Sequence, residues 1–255
     1  MPSMPPLPGT TGRRDWKTAI NAMRKLLADP DDTAQVFLIM RALNAGNLTK
    51  NAARMLATHE GGKLMYEREE LARTLSDRDY VASFAPGTVG AAYRDFLNRT
   101  GYSAAGLEQV SRETLDKDED VLHPYVWFGR RIRDTHDIWH TLTGYQADEP
   151  LGEAALVAFS FAQVGGLGWA WIAAAASIKS LFVFRRLDFA RAVWEGYRNG
   201  RKAKWLPVED YHALLNEPYD AARRRLGISE PVLYRRAQAA MLTDWTPASR
   251  VSQPA

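Results

Sequence analysis

From Ala154 to Ile178 the chain runs for 25 positions without a charged residue. As a helix this run is long enough to cross a bilayer, so any fold must bury it in protein or in lipid. Its composition argues for protein. Gln163, Gly165, Gly166, Gly168 and two serines interrupt it and much of its bulk is alanine, residues that favour membrane insertion only weakly. The expectation is a buried core helix with a glycine-softened middle. A third reading is a wall beside a cavity for a long, thin apolar ligand, because glycine and alanine allow close approach.

Helical periodicity dominates the rest of the chain, and period-two alternation is hard to find. The expected class is all-α: one multi-helix domain with an apolar groove or tunnel between helices. Trp16, Ile20, Met23, Leu26 and Leu27 form one stripe that stops before Pro30. Asp31, Asp32 and Thr33 offer caps for a second helix. Further helices are expected over 49–58, 61–75 and 88–99, and an acidic turn over 114–124. No repeat or composition break marks a second domain, so the helical domain is set at 14–243, with flexible tails at 1–13 and 244–255. The start, MPSMPPLPGTTGRR, has neither the apolar core of a secretory signal nor an Arg-rich amphipathic helix. The expected compartment is therefore the cytoplasm, with a mature mitochondrial form as the alternative.

Charge and cysteine content narrow the chemistry. The 33 basic and 30 acidic residues leave a formal charge of +3, and no clustered footprint implies nucleic acid as a partner. The absence of cysteine excludes disulfides, thiolate metal sites and cysteine nucleophiles. Any metal must be held by imidazole and carboxylate. One basic stretch stands out, RRLDFARAVWEGYRNGRKAKW (185–205), which interleaves arginine and lysine with aromatics. It reads either as a solvated helix face or as a surface for anionic headgroups or a phosphate, with Arg198, Arg201 and Lys202 as candidate contacts.

The sharpest signal is THDIWHTLTGYQADEPLGE (135–153). In a helix from about Pro124 to Gly144, Phe128, Ile132, His136 and His140 fall four apart in one row. Asp137 projects to the same side as His140. Neutral imidazole and carboxylate donors converge on a divalent ion at about 2.0–2.2 Å, and an i, i+4 histidine pair does so across one turn. Glu153 opens the next helix and can face both histidines if the two helices pair antiparallel. Each histidine alone reads as a satisfied core residue, but two histidines with Asp137 and Glu153 are costly to bury without a shared partner. His59, His123 and His212 lack such company and read as structural or exposed. Asp137 stands where a zinc protease HExxH motif has its general base, so protease chemistry is not expected. No nucleophile elbow, phosphate loop or dinucleotide fingerprint is present.

HDIWHTLTGY followed by LGE resembles the HDxxH…E motif of the coenzyme Q (ubiquinone) biosynthesis family of the fourth Coq protein. The resemblance extends to DPDDTAQVF (29–37), PGTVGAAYRDFL (86–97), GRKAKWLPVED (200–210) and ARRRLGI (222–228), covering roughly residues 15 to 230. It implies a helical fold, a groove for a polyprenyl tail, and peripheral association with the inner face of a membrane, bacterial or, as the alternative, mitochondrial. It also implies a divalent metal on His136, Asp137, His140 and Glu153, zinc by preference, with magnesium, manganese, cobalt or iron as alternatives. The family usually has eleven residues between the second histidine and the glutamate, whereas twelve stand here, so Asp148 or Glu149 are alternatives to Glu153. Arg133 is expected to pair with Asp137. The implied activity is oxidative decarboxylation at C1 of a polyprenylated hydroxybenzoate-derived ring. A non-enzymatic lipid-binding or scaffold role among other coenzyme Q biosynthesis proteins is the alternative, and a homodimer is left open.

Overall fold

The computed structural model describes residues 13–30, 32–44, 46–114, 123–185 and 187–243. Among these the chain is all-α, with sixteen α-helices and no strand. The first half holds α1 (Trp16–Ala28), α2 (Thr33–Leu43), α3 (Asn47–Leu56), α4 (His59–Glu67), α5 (Leu71–Leu75), α6 (Arg78–Ala82), α7 (Val89–Thr100) and α8 (Ala104–Thr114). The second holds α9 (Pro124–Asp134), α10 (His136–Thr143), α11 (Pro150–Val164), α12 (Leu167–Phe184) and α13 (Asp188–Lys202). It closes with α14 (Tyr211–Asn216), α15 (Tyr219–Leu226) and α16 (Val232–Thr243). The two expected tails apart from Arg13, the expected cap Asp31, and most of the acidic turn at 114–124 lie outside the described residues.

The uncharged run is not one helix. It breaks at Gly165 and Gly166, whose φ values of 68° and 96° lie where a side chain is strained. The break frees the Val164 carbonyl, which accepts hydrogen bonds from Asn47 Nδ2 at 2.8 Å and Asn51 Nδ2 at 2.7 Å. On the other side, Gly168 N–H donates to Asn44 Oδ1 at 2.8 Å. Three asparagines thus satisfy groups that the corner would otherwise leave unpaired. The result is a buried α11 and a more peripheral α12, which exposes Ile178 and Phe182. No helix among the described residues is long and apolar enough to cross a membrane.

Helix α11 is the centre of the core. Its Leu156 and Phe159 are wholly buried, each worth about 1.5–3 kcal/mol on burial. It packs against α12, α13 and α16. Contact with α13 is closest, because Gly196 and Gly200 present bare backbone to it. A Cβ on Gly196 would stand 2.3 Å from the Ala155 carbonyl oxygen, and one on Gly200 would stand 2.5 Å from that of Phe159. Gln163 seals the far end, donating to the Gly200 carbonyl at 2.8 Å and accepting from Leu206 N–H at 2.8 Å.

Three other expectations are corrected. The 61–75 segment divides into α4 and α5, turned by Arg68 at a φ of 48°. The single helix from Pro124 to Gly144 divides at Thr135, whose hydroxyl bonds the Arg131 carbonyl at 2.9 Å, a back-bond that bends helices. In α1 the buried side is Ala19, Ala22 and Met23, while Trp16 and Ile20 are exposed.

Candidate metal centre

The bend at Thr135 puts His136 and His140 in the first two turns of α10, with ring centroids 4.7 Å apart at 75°. Gly144, in the left-handed region at a φ of 78°, ends α10 and donates its N–H to the His140 carbonyl at 2.9 Å. The chain then turns through 145–149 into α11, whose first turn carries Glu153. Gly152 makes the return possible. A Cβ there would stand 2.0 Å from the Gln146 carbonyl oxygen, so only glycine lets α11 lie against the preceding loop and bring Glu153 opposite the histidines.

His136, His140 and Glu153 converge, each offering one atom within 4.8 Å of the others. Glu153 Oε1 lies 3.2 Å from His140 Nε2, and Glu153 Oε2 lies 4.0 Å from His136 Nε2. Donors about 2.05 Å from a tetrahedral ion stand about 3.3 Å apart, so the cluster is close to the required size. The hydrogen bonding sharpens this. His140 Nδ1 lies 2.8 Å from the Tyr145 carbonyl oxygen, which can only accept, so the proton belongs on Nδ1. The neutral ring then presents a bare lone pair at Nε2, an atom that is buried and makes no hydrogen bond. A lone pair held against a carboxylate is a repulsive arrangement that a shared cation relieves. Two imidazoles and one carboxylate suit zinc and other borderline divalent ions.

Electrostatics follow the same geometry. With a proton on His140 Nε2 in the cation's place, burial still works to raise the Glu153 carboxyl, but the charge and hydrogen bond of His140 and the charge of His136 outweigh it and hold it below its ordinary range. Burial works to lower His136, but the Asp137 hydrogen bond and the Glu153 and Asp137 charges leave it raised.

The remaining predicted residues sit around this cluster. Asp137 does not join the three. It lies at the rear nitrogen of His136, with Oδ1 3.4 Å from Nδ1, one residue and about 100° further round α10. Arg133 pairs with Asp134 and not with Asp137, its Nε donating to Asp134 Oδ1 at 2.7 Å. Asp148 is taken by Arg99 at 2.9 Å, and Glu149 accepts from the Tyr234 hydroxyl and from Gln238 Nε2 at 2.9 Å. Among the three acidic residues, Glu153 is thus the one in the cluster. Arg198, Arg201 and Lys202 are exposed on α13. His59 is exposed, His123 caps α9, and His212 bridges Tyr80 and Glu69 at 2.8 Å on each side. Sequence reasoning missed Gly152, Tyr145 and Phe96, the last of which stacks on His140 with centroids 6.0 Å apart at 16°.

Comparison with known proteins adds to this picture. The family model described as coenzyme Q (ubiquinone) biosynthesis protein Coq4 matches residues 11–232. The mitochondrial ubiquinone biosynthesis protein coq4 of Pyrenophora tritici-repentis is 31% identical over 183 residues, 70% of this chain and 58% of the relative. The corresponding mitochondrial protein of Neurospora crassa is 32% identical over 180 residues, 69% of this chain and 48% of the relative. The chain thus spans about half the length of the curated relatives it matches. A crystal structure of a candidate ubiquinone biosynthesis protein from Nostoc punctiforme superimposes with a TM-score of 0.61 at 21% identity, covering 85% of this chain and 100% of that one. That likeness shows a shared fold.

Proposed function

Because the chain belongs to the Coq4 family of coenzyme Q (ubiquinone) biosynthesis proteins, we propose that His136, His140 and Glu153 hold one divalent cation, zinc by preference. The loaded site would act in ubiquinone biosynthesis, replacing the C1 carboxylate of a polyprenylated hydroxybenzoate-derived ring with hydroxyl. The carboxylate leaves as carbon dioxide, water supplies the hydroxyl oxygen, and dioxygen takes up the two electrons and two protons released and leaves as hydrogen peroxide.

The observation that carries this reading is the bare His140 Nε2 held toward Glu153. When bound, the ion supplies Lewis acidity toward the ring carboxylate or an adjacent phenolate, offsetting charge as carbon dioxide departs. The protein groups do the rest. Glu153 stays ionised at working pH, and its side chain, about two-fifths exposed, keeps one side of the cluster open to a ring. Asp137 orients His136 from behind, and Phe96 packs flat on His140.

The face formed by α12 and α13 supports membrane contact in the same reading. Phe182, near the end of α12, is 82% exposed, and on α13 Trp194 is 59% exposed, one to two turns before exposed Arg198, Arg201 and Lys202. Apolar and aromatic residues flanked by cations complement an anionic lipid surface. The setting in this reading is the inner face of a membrane, bacterial or, as the relatives' names suit, mitochondrial. The same face also favours a second reading, a lipid-binding scaffold for other biosynthetic proteins. Purified protein given metal, dioxygen and prenylated substrate should turn over, and His140→Ala should lose both metal and quinone production while keeping its helicity. Restoration of quinone synthesis by abundant metal-free protein would instead support the scaffold.

A further inference from the structure

We propose that Tyr145 and Asn199 are positioning residues for the metal centre. Through them α13 sets which nitrogen of His140 faces the cation and how firmly it is aimed. The inference rests on the metal reading above and extends it to residues that touch no ligand.

Tyr145 lies in the short loop between the two ligand-bearing helices and acts in two directions. Its carbonyl accepts the His140 Nδ1 proton at 2.8 Å, which fixes the tautomer that leaves Nε2 bare. Its side chain, 1% exposed, turns into the core, where the hydroxyl accepts a hydrogen bond from Asn199 Nδ2 at 3.2 Å. The ring meets Tyr234 edge-on at 5.1 Å and 90°. Tyr234 in turn accepts the Gln146 N–H at 2.9 Å through its hydroxyl. The loop is therefore held at two consecutive residues, by hydrogen bonds to the side chains of Asn199 on α13 and Tyr234 on α16.

Asn199 is itself buried and lies between Gly196 and Gly200, where α13 touches α11 most closely. One helix thus fixes both sides of the cluster. Its glycines set the depth of α11, which carries Glu153, and its asparagine sets the loop that holds His140. A histidine ligand whose second nitrogen is held by a fixed acceptor keeps its ring orientation, and loss of such support typically costs about 10- to 100-fold in metal affinity.

The test uses Tyr145→Phe, which removes one oxygen and keeps the ring, and Asn199→Leu, which keeps the volume and removes the donor. Cobalt(II) titration followed by absorbance gives affinity, and imidazole nitrogen chemical shifts of the metal-free protein give the His140 tautomer. Each variant is expected to bind cobalt about tenfold more weakly, to populate both tautomers, and to show no further loss in the double variant. Wild-type affinity in Tyr145→Phe, with His140 still protonated on Nδ1, would overturn the inference and leave the metal centre standing. Failure of the wild-type protein to bind cobalt would overturn both. If Asn199→Leu does not fold, Tyr145→Phe alone decides.

Discussion

Gly152 offers the sharpest structural test, because its role is purely geometric. In Gly152→Ala the new Cβ would stand 2.0 Å from the Gln146 carbonyl oxygen and 2.7 Å from the Gln146 nitrogen, both backbone atoms. Favourable carbon contacts begin at about 3.5 Å, so the first turn of α11 and the 145–149 loop must separate by about 1.5 Å. Overpacking of this kind costs about 1–3 kcal/mol, and in a chain of this size each kcal/mol lowers Tm by about 2–4 °C. The shift falls on the segment that carries Glu153, whose oxygen stands only 3.2 Å from His140. A displacement of about 1 Å can cost about a hundredfold in rate. Gly62→Ala is the control, since nothing lies within 4 Å of its added Cβ, and a helical alanine there should be neutral or stabilising by up to about 1 kcal/mol. Thermal melts and zinc titration of both variants check the reasoning. A Gly152→Ala protein with wild-type Tm and wild-type zinc affinity would refute it.

Other consequences follow from the same geometry. Glu153 is held below its ordinary value, so its stabilisation is present above about pH 4.3 and is lost as pH falls through the lower folded value. His136 is raised, so its stabilisation is present below about pH 6.5 and is lost as pH climbs through the higher folded value. Metal-free protein should therefore lose Tm as pH climbs above about 6.5, Glu153→Gln should flatten that loss, and saturating zinc, which competes with protons, should reverse it. A flat wild-type profile on that alkaline side would contradict the raised His136. Gly196→Val should destabilise the α11–α13 contact by at least about 1–3 kcal/mol in urea unfolding, and an unchanged midpoint would show that the two helices are not so close. Reversing Arg198, Arg201 and Lys202 to glutamate should remove about 1 kcal/mol per basic residue, weakening binding to phosphatidylserine vesicles on the order of a hundredfold or more. Equal binding by this variant would remove α13 from the membrane face.

What could be seen from the amino acids depended on whether a role resides in a side chain or in the backbone. The histidine pair was legible because a spacing of four places two imidazoles on one helix face, and Glu153 because it opens the helix that follows. Asp137 was legible as a neighbour, but one residue of rotation turned it to the rear of His136. Tyr145 was invisible in its main role, since it acts through a carbonyl that every residue possesses. Gly152 was part of a quoted motif, yet its need for bare backbone appears only when the Gln146 carbonyl is seen beneath it. The glycine pair inside the uncharged run marked a weak point, but the corner exists because asparagines more than a hundred residues away complete its hydrogen bonds.

The central claim is that one divalent cation sits among His136, His140 and Glu153. Anomalous diffraction at the zinc edge from crystals of zinc-loaded protein tests it most directly. The expected result is one peak within about 2.0–2.2 Å of both Nε2 atoms and a Glu153 oxygen, lost in His140→Ala crystals. A peak elsewhere, or none between the two imidazoles in zinc-loaded crystals, would contradict it.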